Sequence, residues 1–161
     1  MIVLIMGTTG AGKTTVGKLL AEELRCPFLD ADDFHPAANV EKMKRAIPLD
    51  DADRVPWLAA IHEELVRQTR AGNDCVLACS ALKQSYRDTL SAGLGVKIVY
   101  LKGTYEEMRT HILARHGHFA GEGILAGQFR DLQEPCGAIK VSVRLTPEEI
   151  AAEVLERLRL S

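Results

Sequence analysis

The sequence predicts a three-layer α/β fold: a five-stranded parallel sheet with helices covering both faces. Two observations carry this expectation. Short apolar runs alternate along the chain with longer segments of helical periodicity, the pattern of stacked βαβ units. The runs are also continuously apolar, as strands buried on both faces must be. Strands are expected at Ile2 to Met6, Pro27 to Asp30, Asp74 to Cys79, Lys97 to Leu101 and Ile139 to Val143. Helices are expected from Lys13 to Leu24, Val55 to Arg70, Lys83 to Leu90, Tyr105 to Ala114 and Pro147 to Leu160. A chain of 161 residues with 47% apolar content supplies one core rather than two, so residues 1–161 read as a single domain.

Two stretches stand outside this scheme. Residues 32–53 are polar and punctuated, and residues 115–127 hold His116, His118 and several glycines. Both read as mobile segments that cover a substrate, the second as a lid, with Phe34, Met43 and Phe119 as apolar anchors. His116 and His118 have no partner at metal-ligand spacing and are assigned to lid packing or polar roles.

Composition narrows the partner. The net charge of −2 is nearly balanced and the basic residues are scattered, so neither nucleic acid nor a membrane surface is expected, and a small molecule is. The cysteines Cys26, Cys75, Cys79 and Cys136 lack the spacing of a zinc site or redox motif and read as reduced thiols. The chain opens directly on a strand-like run, without a basic leader or a spanning segment, so a cytoplasmic protein is expected.

In a parallel sheet of this kind ligands gather beyond the carboxyl ends of the strands. After the first strand comes Gly7-Thr8-Thr9-Gly10-Ala11-Gly12-Lys13-Thr14, a phosphate-binding loop that opens a helix. Its glycines allow successive N–H groups to turn inward, and the helix N-terminus adds positive potential. Lys13 is expected at the β- and γ-phosphates of ATP and the Thr14 hydroxyl on magnesium, with Thr15 following on the first helical turn.

After the second strand, Asp30 and Asp32 leave the chain on one face. Phosphoryl transfer needs one carboxylate in the Mg2+ shell and another to take the proton of the attacking hydroxyl. Asp30, nearer the sheet, is assigned to the metal and Asp32 to the base, although spacing alone allows the reverse. A solvated turn with a helix cap is the competing reading, which suits Asp33 better than Asp32.

These segments continue into Asp30-Ala31-Asp32-Asp33-Phe34-His35-Pro36, Asn39-Val40-Glu41-Lys42-Met43 and Pro48-Leu49-Asp50-Asp51-Ala52-Asp53-Arg54-Val55-Pro56-Trp57-Leu58. Further along lie Cys79-Ser80-Ala81-Leu82-Lys83, Tyr86-Arg87-Asp88, Tyr100-Leu101-Lys102-Gly103, Gly117-His118-Phe119, Gln128-Phe129 and Leu132-Gln133-Glu134-Pro135. In this order they resemble the small bacterial gluconokinases over nearly the whole chain. The resemblance implies a nucleoside-monophosphate-kinase-like P-loop fold, ATP with magnesium, gluconate as acceptor, 6-phosphogluconate as product and a homodimer. The chain departs from the family's usual glycine at Ala31 and Ala46 and from its frequent asparagine at Asp50, and residues 142–146 lack the acidic groups expected there.

A sugar acid needs a forked cation and several polar side chains. Arg54, Lys83 and Arg87 answer that need, Arg54 with a salt bridge to Asp51 or Asp53 as its alternative and Lys83 with Arg87 four residues apart on one helix face. The family resemblance tips Arg54 toward the substrate. His35, beside the proposed base, is assigned to a substrate hydroxyl. Arg115, where the lid begins, is expected to neutralise charge on the transferring phosphoryl group. Two rivals remain: a shikimate kinase, which usually carries a glycine cluster where this chain has Ser80 to Lys83, and a slow nucleotide-hydrolysing switch, which needs no acceptor cleft.

Overall fold

The computed structural model describes residues 1–117 and 122–161. Its strands are β1 (Ile2–Met6), β2 (Phe28–Asp30), β3 (Cys75–Ala78), β4 (Val96–Lys102) and β5 (Ile139–Ser142). The helices are α1 (Lys13–Leu24), α2 (Ala37–Lys44), α3 (Asp51–Arg70), α4 (Gln84–Ser91), α5 (Tyr105–His116), α6 (Glu122–Asp131) and α7 (Pro147–Leu160), with a 3₁₀ turn over Ala31–Phe34.

The strands form one parallel sheet in the order β2-β3-β1-β4-β5. Strand side chains alternate between faces, and here the alternation divides the core. Val3 and Ile5 of β1 join Val76, Val99 and Leu101 beneath α1, α5 and α7. Ile2, Leu4 and Met6 join Leu77, Cys79 and Tyr100 beneath Trp57, Leu58, Ile61 and Leu65 of α3 and Tyr86 and Leu90 of α4. The expected three layers follow, with α3 and α4 on one side and α1, α5 and α7 on the other. The strand order changes direction at β1, whose neighbours are β3 and β4, so a crevice opens beyond Met6.

The segment 32–53 is more ordered in backbone than expected. It contains the 3₁₀ turn, α2 and the first turn of α3. Its helices were hidden because α2 is short and buries only Asn39, which leaves no apolar stripe to read. Phe34 packs against the core, but Met43 is exposed and anchors nothing. Helix α3 begins at Asp51, four residues before Val55, because Asp50 and Asp53 form a reciprocal capping box. The cap sets the start, and Pro56 is carried inside the helix instead of opening it.

Of the residues 115–127, Arg115 and His116 complete α5, Gly117 caps it in a left-handed conformation, and Glu122 begins α6. Leu125 of α6 is fully buried and Phe129 packs edge-on against Tyr105. Gly123 and Gly127 masked this helix in the sequence. His118 and Phe119 lie outside the described residues.

Candidate active site

The loop after β1 is shaped by its own glycines. Gly10 and Gly12 have φ of 84° and 89°, left-handed values that other residues adopt at a cost. A Cβ on Gly10 would also lie 2.8 Å from the Met108 carbonyl oxygen, so α5 packs directly on the loop. Helix α1 then starts with Gly12 as its N-cap, without a side-chain cap and without an acidic residue in its first turn. Its first hydrogen bond runs from the Val16 N–H to the Gly12 carbonyl at 3.0 Å, so the N–H groups of Lys13, Thr14 and Thr15 are left for an anion. Thr8 is buried, with its hydroxyl on the Thr9 carbonyl, and Ala11 is core.

Lys13 folds back over this loop and donates from Nζ to the Thr8 carbonyl at 3.0 Å. Burial depresses its pKa, while Cys79, Asp32 and Asp30 oppose the shift and Arg115 adds to it. The site therefore gathers Lys13, both aspartates and Arg115 within electrostatic reach. Cys79, at the end of β3, is held protonated by burial, its pKa pushed up to about 12.

Asp30 ends β2 and accepts the Asp32 N–H at 3.0 Å through Oδ1. The cap that the competing reading offered to Asp33 is thus made by Asp30, whose second carboxylate oxygen takes no part in it. Asp32 is exposed at the mouth of the cleft. Partial desolvation, then the neighbouring Asp30 charge, raise its pKa above the ordinary carboxylate range, against the pull of His35 and Lys13.

His35 stacks on Trp57, ring centroids 4.5 Å apart and planes 10° from parallel, and Trp57 Nε1 donates to the Ala31 carbonyl at 2.7 Å. This pair pins the 3₁₀ turn to α3. Burial lowers the His35 pKa and favours the neutral ring. The Asn39 amide nitrogen lies 3.3 Å from Nδ1; with Nδ1 accepting, the ring proton sits on Nε2, which is 4.0 Å from Asp32 Oδ1. Asn39 also donates to the Asp53 carbonyl at 2.9 Å, tying α2 to α3. Neither Asn39 nor Trp57 was singled out by the sequence reading, although both lie in motifs that carried the resemblance.

The cationic side of the cleft divides. Arg54 Nη1 donates to the Leu49 carbonyl at 2.9 Å and lies 3.4 Å from the Tyr86 hydroxyl, with the guanidinium 5.6 Å from the Tyr86 ring centroid. Lys83 Nζ flanks the same ring at 5.6 Å and contacts Asp51 at 3.0 Å. Arg54 and Lys83 are thus brought together around Tyr86, a residue the sequence reading missed.

Arg87 does not join them. It is 1% exposed and spends four of its five N–H donors inside the fold. Nη1 bonds the Ala81 and Leu82 carbonyls at 2.6 and 3.1 Å, and Nη2 bonds Gln84 Oε1 and the Gln133 carbonyl at 3.0 and 2.7 Å. The expectation that it binds substrate is corrected: spacing four places it one turn from Lys83, but its length lets it turn inward beneath the loop. That loop holds Ala81 at φ 44°, a strained conformation for alanine, and Arg87 braces it.

Arg115 is exposed on the last turn of α5. Gln128 of α6 accepts the Thr9 N–H at 2.6 Å, and His111 Nδ1 donates to the Gly10 carbonyl at 3.0 Å. Both helices thus grip the phosphate loop. A separate cavity of about 340 Å³ opens over residues 102–104 and 140–142, where Arg144 is paired with Glu107. Among the described residues there is no group of three or more His, Cys, Asp or Glu side chains arranged for a metal.

Comparison with known proteins agrees with this geometry. The family model for shikimate kinase matches residues 9–120. A probable gluconokinase of Rattus norvegicus is 41% identical, over 98% of this chain and 97% of its own. The gluconokinase of Gluconobacter oxydans (strain 621H) is 42% identical, over 96% of this chain and 86% of its own. The solved structure of a gluconokinase from Sinorhizobium meliloti 1021 superposes with a TM-score of 0.85 at 37% identity, covering 98% and 95% of the two chains. The shikimate kinase match spans residues 9–120, whereas these relatives cover 96–98% of the chain, and the chain belongs to the gluconokinase family of P-loop kinases.

Proposed function

We propose that the chain is an ATP-dependent gluconokinase, which transfers the γ-phosphoryl group of ATP to the 6-hydroxyl of D-gluconate and releases 6-phospho-D-gluconate and ADP. The observation that carries this reading is the opposition of two half-sites across one crevice. An uncapped helix N-terminus with Lys13 lies on one side, and Asp32, His35, Arg54 and Lys83 lie on the other. A nucleotide switch needs only the first.

Lys13 and the N–H groups of Lys13, Thr14 and Thr15 hold the β- and γ-phosphates and stabilise the charge that develops there. Asp32 accepts the proton of the acceptor hydroxyl as its oxygen bonds to the γ-phosphorus. The bond from that phosphorus to the β–γ bridging oxygen breaks, and ADP carries the electron pair away. His35, held neutral with its Nε2 proton toward Asp32, orients the base and a substrate hydroxyl. Arg54 and Lys83 take the sugar-acid carboxylate, and Arg115 approaches the transferring group as the lid segment closes. The donor set suits Mg2+, which binds through one or two protein oxygens plus phosphates and water: Thr14 offers a hydroxyl at the open helix end and Asp30 its uncommitted oxygen. Bound there, the ion supplies charge neutralisation along the phosphate chain. The same reading has the enzyme cytoplasmic and homodimeric; no helix of the described residues is long and apolar enough to cross a membrane.

The test is an acceptor panel. ADP formation is measured with gluconate, shikimate, nucleoside monophosphates or water as acceptor. Turnover with gluconate far above the others is expected, and ATP hydrolysis that ignores gluconate contradicts the assignment.

A further inference from the structure

Lys83 and Tyr86 in the acceptor cleft already hold a carboxylate, one that the chain itself supplies. Asp51 Oδ1 and Oδ2 lie 3.0 and 3.3 Å from Lys83 Nζ, and the Tyr86 hydroxyl donates to Oδ1. The two donors hold its carboxyl below the ordinary range, the phenol contributing most. Tyr86 is at the same time the ring that Arg54 and Lys83 flank. One carboxylate is therefore bound by an ammonium and a phenol, with a guanidinium beside them, which is the chemistry a sugar-acid carboxylate needs.

The Asp51 side chain is free to leave. Its exposure is 68%, against 28% for Lys83, so water re-solvates it on departure. It is also not the cap of α3: that role belongs to Asp50 and Asp53, and Lys42 holds Asp53 at 2.8 Å. The helix start survives whether or not Asp51 stays on Lys83.

We infer that Asp51 tunes acceptor affinity as an autoinhibitory contact, an internal carboxylate that occupies the Lys83–Tyr86 subsite in the substrate-free chain and is displaced there by the carboxylate of the acceptor. This rests on the gluconokinase reading and adds a cost to it. An acceptor with a carboxylate replaces what it displaces, whereas a neutral polyol leaves Lys83 with Asp51 and gains only hydroxyl contacts. Asp51 thereby acts as an internal competitor that raises the KM for sugar acids and leaves the binding of neutral polyols unchanged.

The experiment measures KM for gluconate, kcat, and the inhibition constant of the neutral analogue glucitol in Asp51→Ala, Asp51→Asn and Asp33→Asn. An exposed ion pair is modest in strength, so KM for gluconate should fall about two- to fivefold in both Asp51 variants, with the glucitol constant unchanged. Asp33→Asn removes an equal charge from the same acidic region without touching Lys83 or Tyr86, and should leave KM where it is. A KM that stays level or rises in the Asp51 variants, or falls equally in Asp33→Asn, overturns the inference, since Asp51 would then order the cations or act only through the general field. Failure of the gluconokinase reading itself looks different: the unmodified chain would then show no gluconate-dependent turnover.

Discussion

Ala46 shows how one side chain can sit against its backbone. It follows α2 at φ 55° and is exposed, where an L-residue meets steric cost and glycine meets none. The resemblance marked this position as one where glycine is usual, and the structure supplies the reason. Ala31, the other such departure, is buried in the 3₁₀ turn outside the left-handed region, so no similar gain is available there. Ala46→Gly should therefore raise stability by about 0.5–1 kcal/mol, the relief of strain less the greater chain entropy of glycine. Urea denaturation reads this directly, and a lower midpoint would refute it. Residue positions were legible in the sequence where a motif fixes backbone and side chain together, as for Lys13 in its glycine loop. They were not legible where a long side chain chooses between inside and outside, as Arg87 does.

At the scale of elements, boundaries followed caps and not periodicity. Helices α1 and α7 begin where the sequence places them, after a glycine turn and after a Thr146 capping box with Pro147 at the first position. Helix α3 begins early because its capping box lies upstream of the proline. The short α2 and the glycine-bearing α6 carry too little pattern to be read in advance. The loop between β3 and α4 is held from outside itself: Arg87 bonds its carbonyls, Gln133 donates to the Leu82 carbonyl at 2.8 Å, and Gln133 Oε1 accepts the Gln84 N–H at 2.7 Å. Arg87→Met removes this brace and strands buried carbonyls, so it should cost about 2–4 kcal/mol of stability and, through a looser Lys83, raise the gluconate KM. A loss of gluconate binding at unchanged stability would instead return Arg87 to the acceptor cleft.

Across the whole molecule, the sheet order brings the ends of β1, β2 and β3 together at the point where topology reverses, and so sets the glycine loop, Asp32, Arg54 and Lys83 around one crevice. This convergence was legible in outline, because each motif directly follows a strand. The partnership of Asp51 with Lys83 and Tyr86 was not, because it joins residues about thirty positions apart across two helices. The raised pKa of Asp32 has a consequence at this scale: a base must be ionised, so activity is lost as pH falls through that raised value. The acid limb of kcat/KM for gluconate should accordingly lie above the range of an ordinary aspartate, and a limb within that range would mean that the cleft leaves the base unperturbed. The central claim is that Asp32 takes the proton of a gluconate hydroxyl opposite the phosphate loop. It is tested most directly by kcat for gluconate in folded Asp32→Asn, which keeps the shape of the side chain but cannot act as the base. The account predicts a fall on the order of 10²- to 10⁴-fold with ATP binding retained, and a kcat equal to that of the unmodified chain would contradict it.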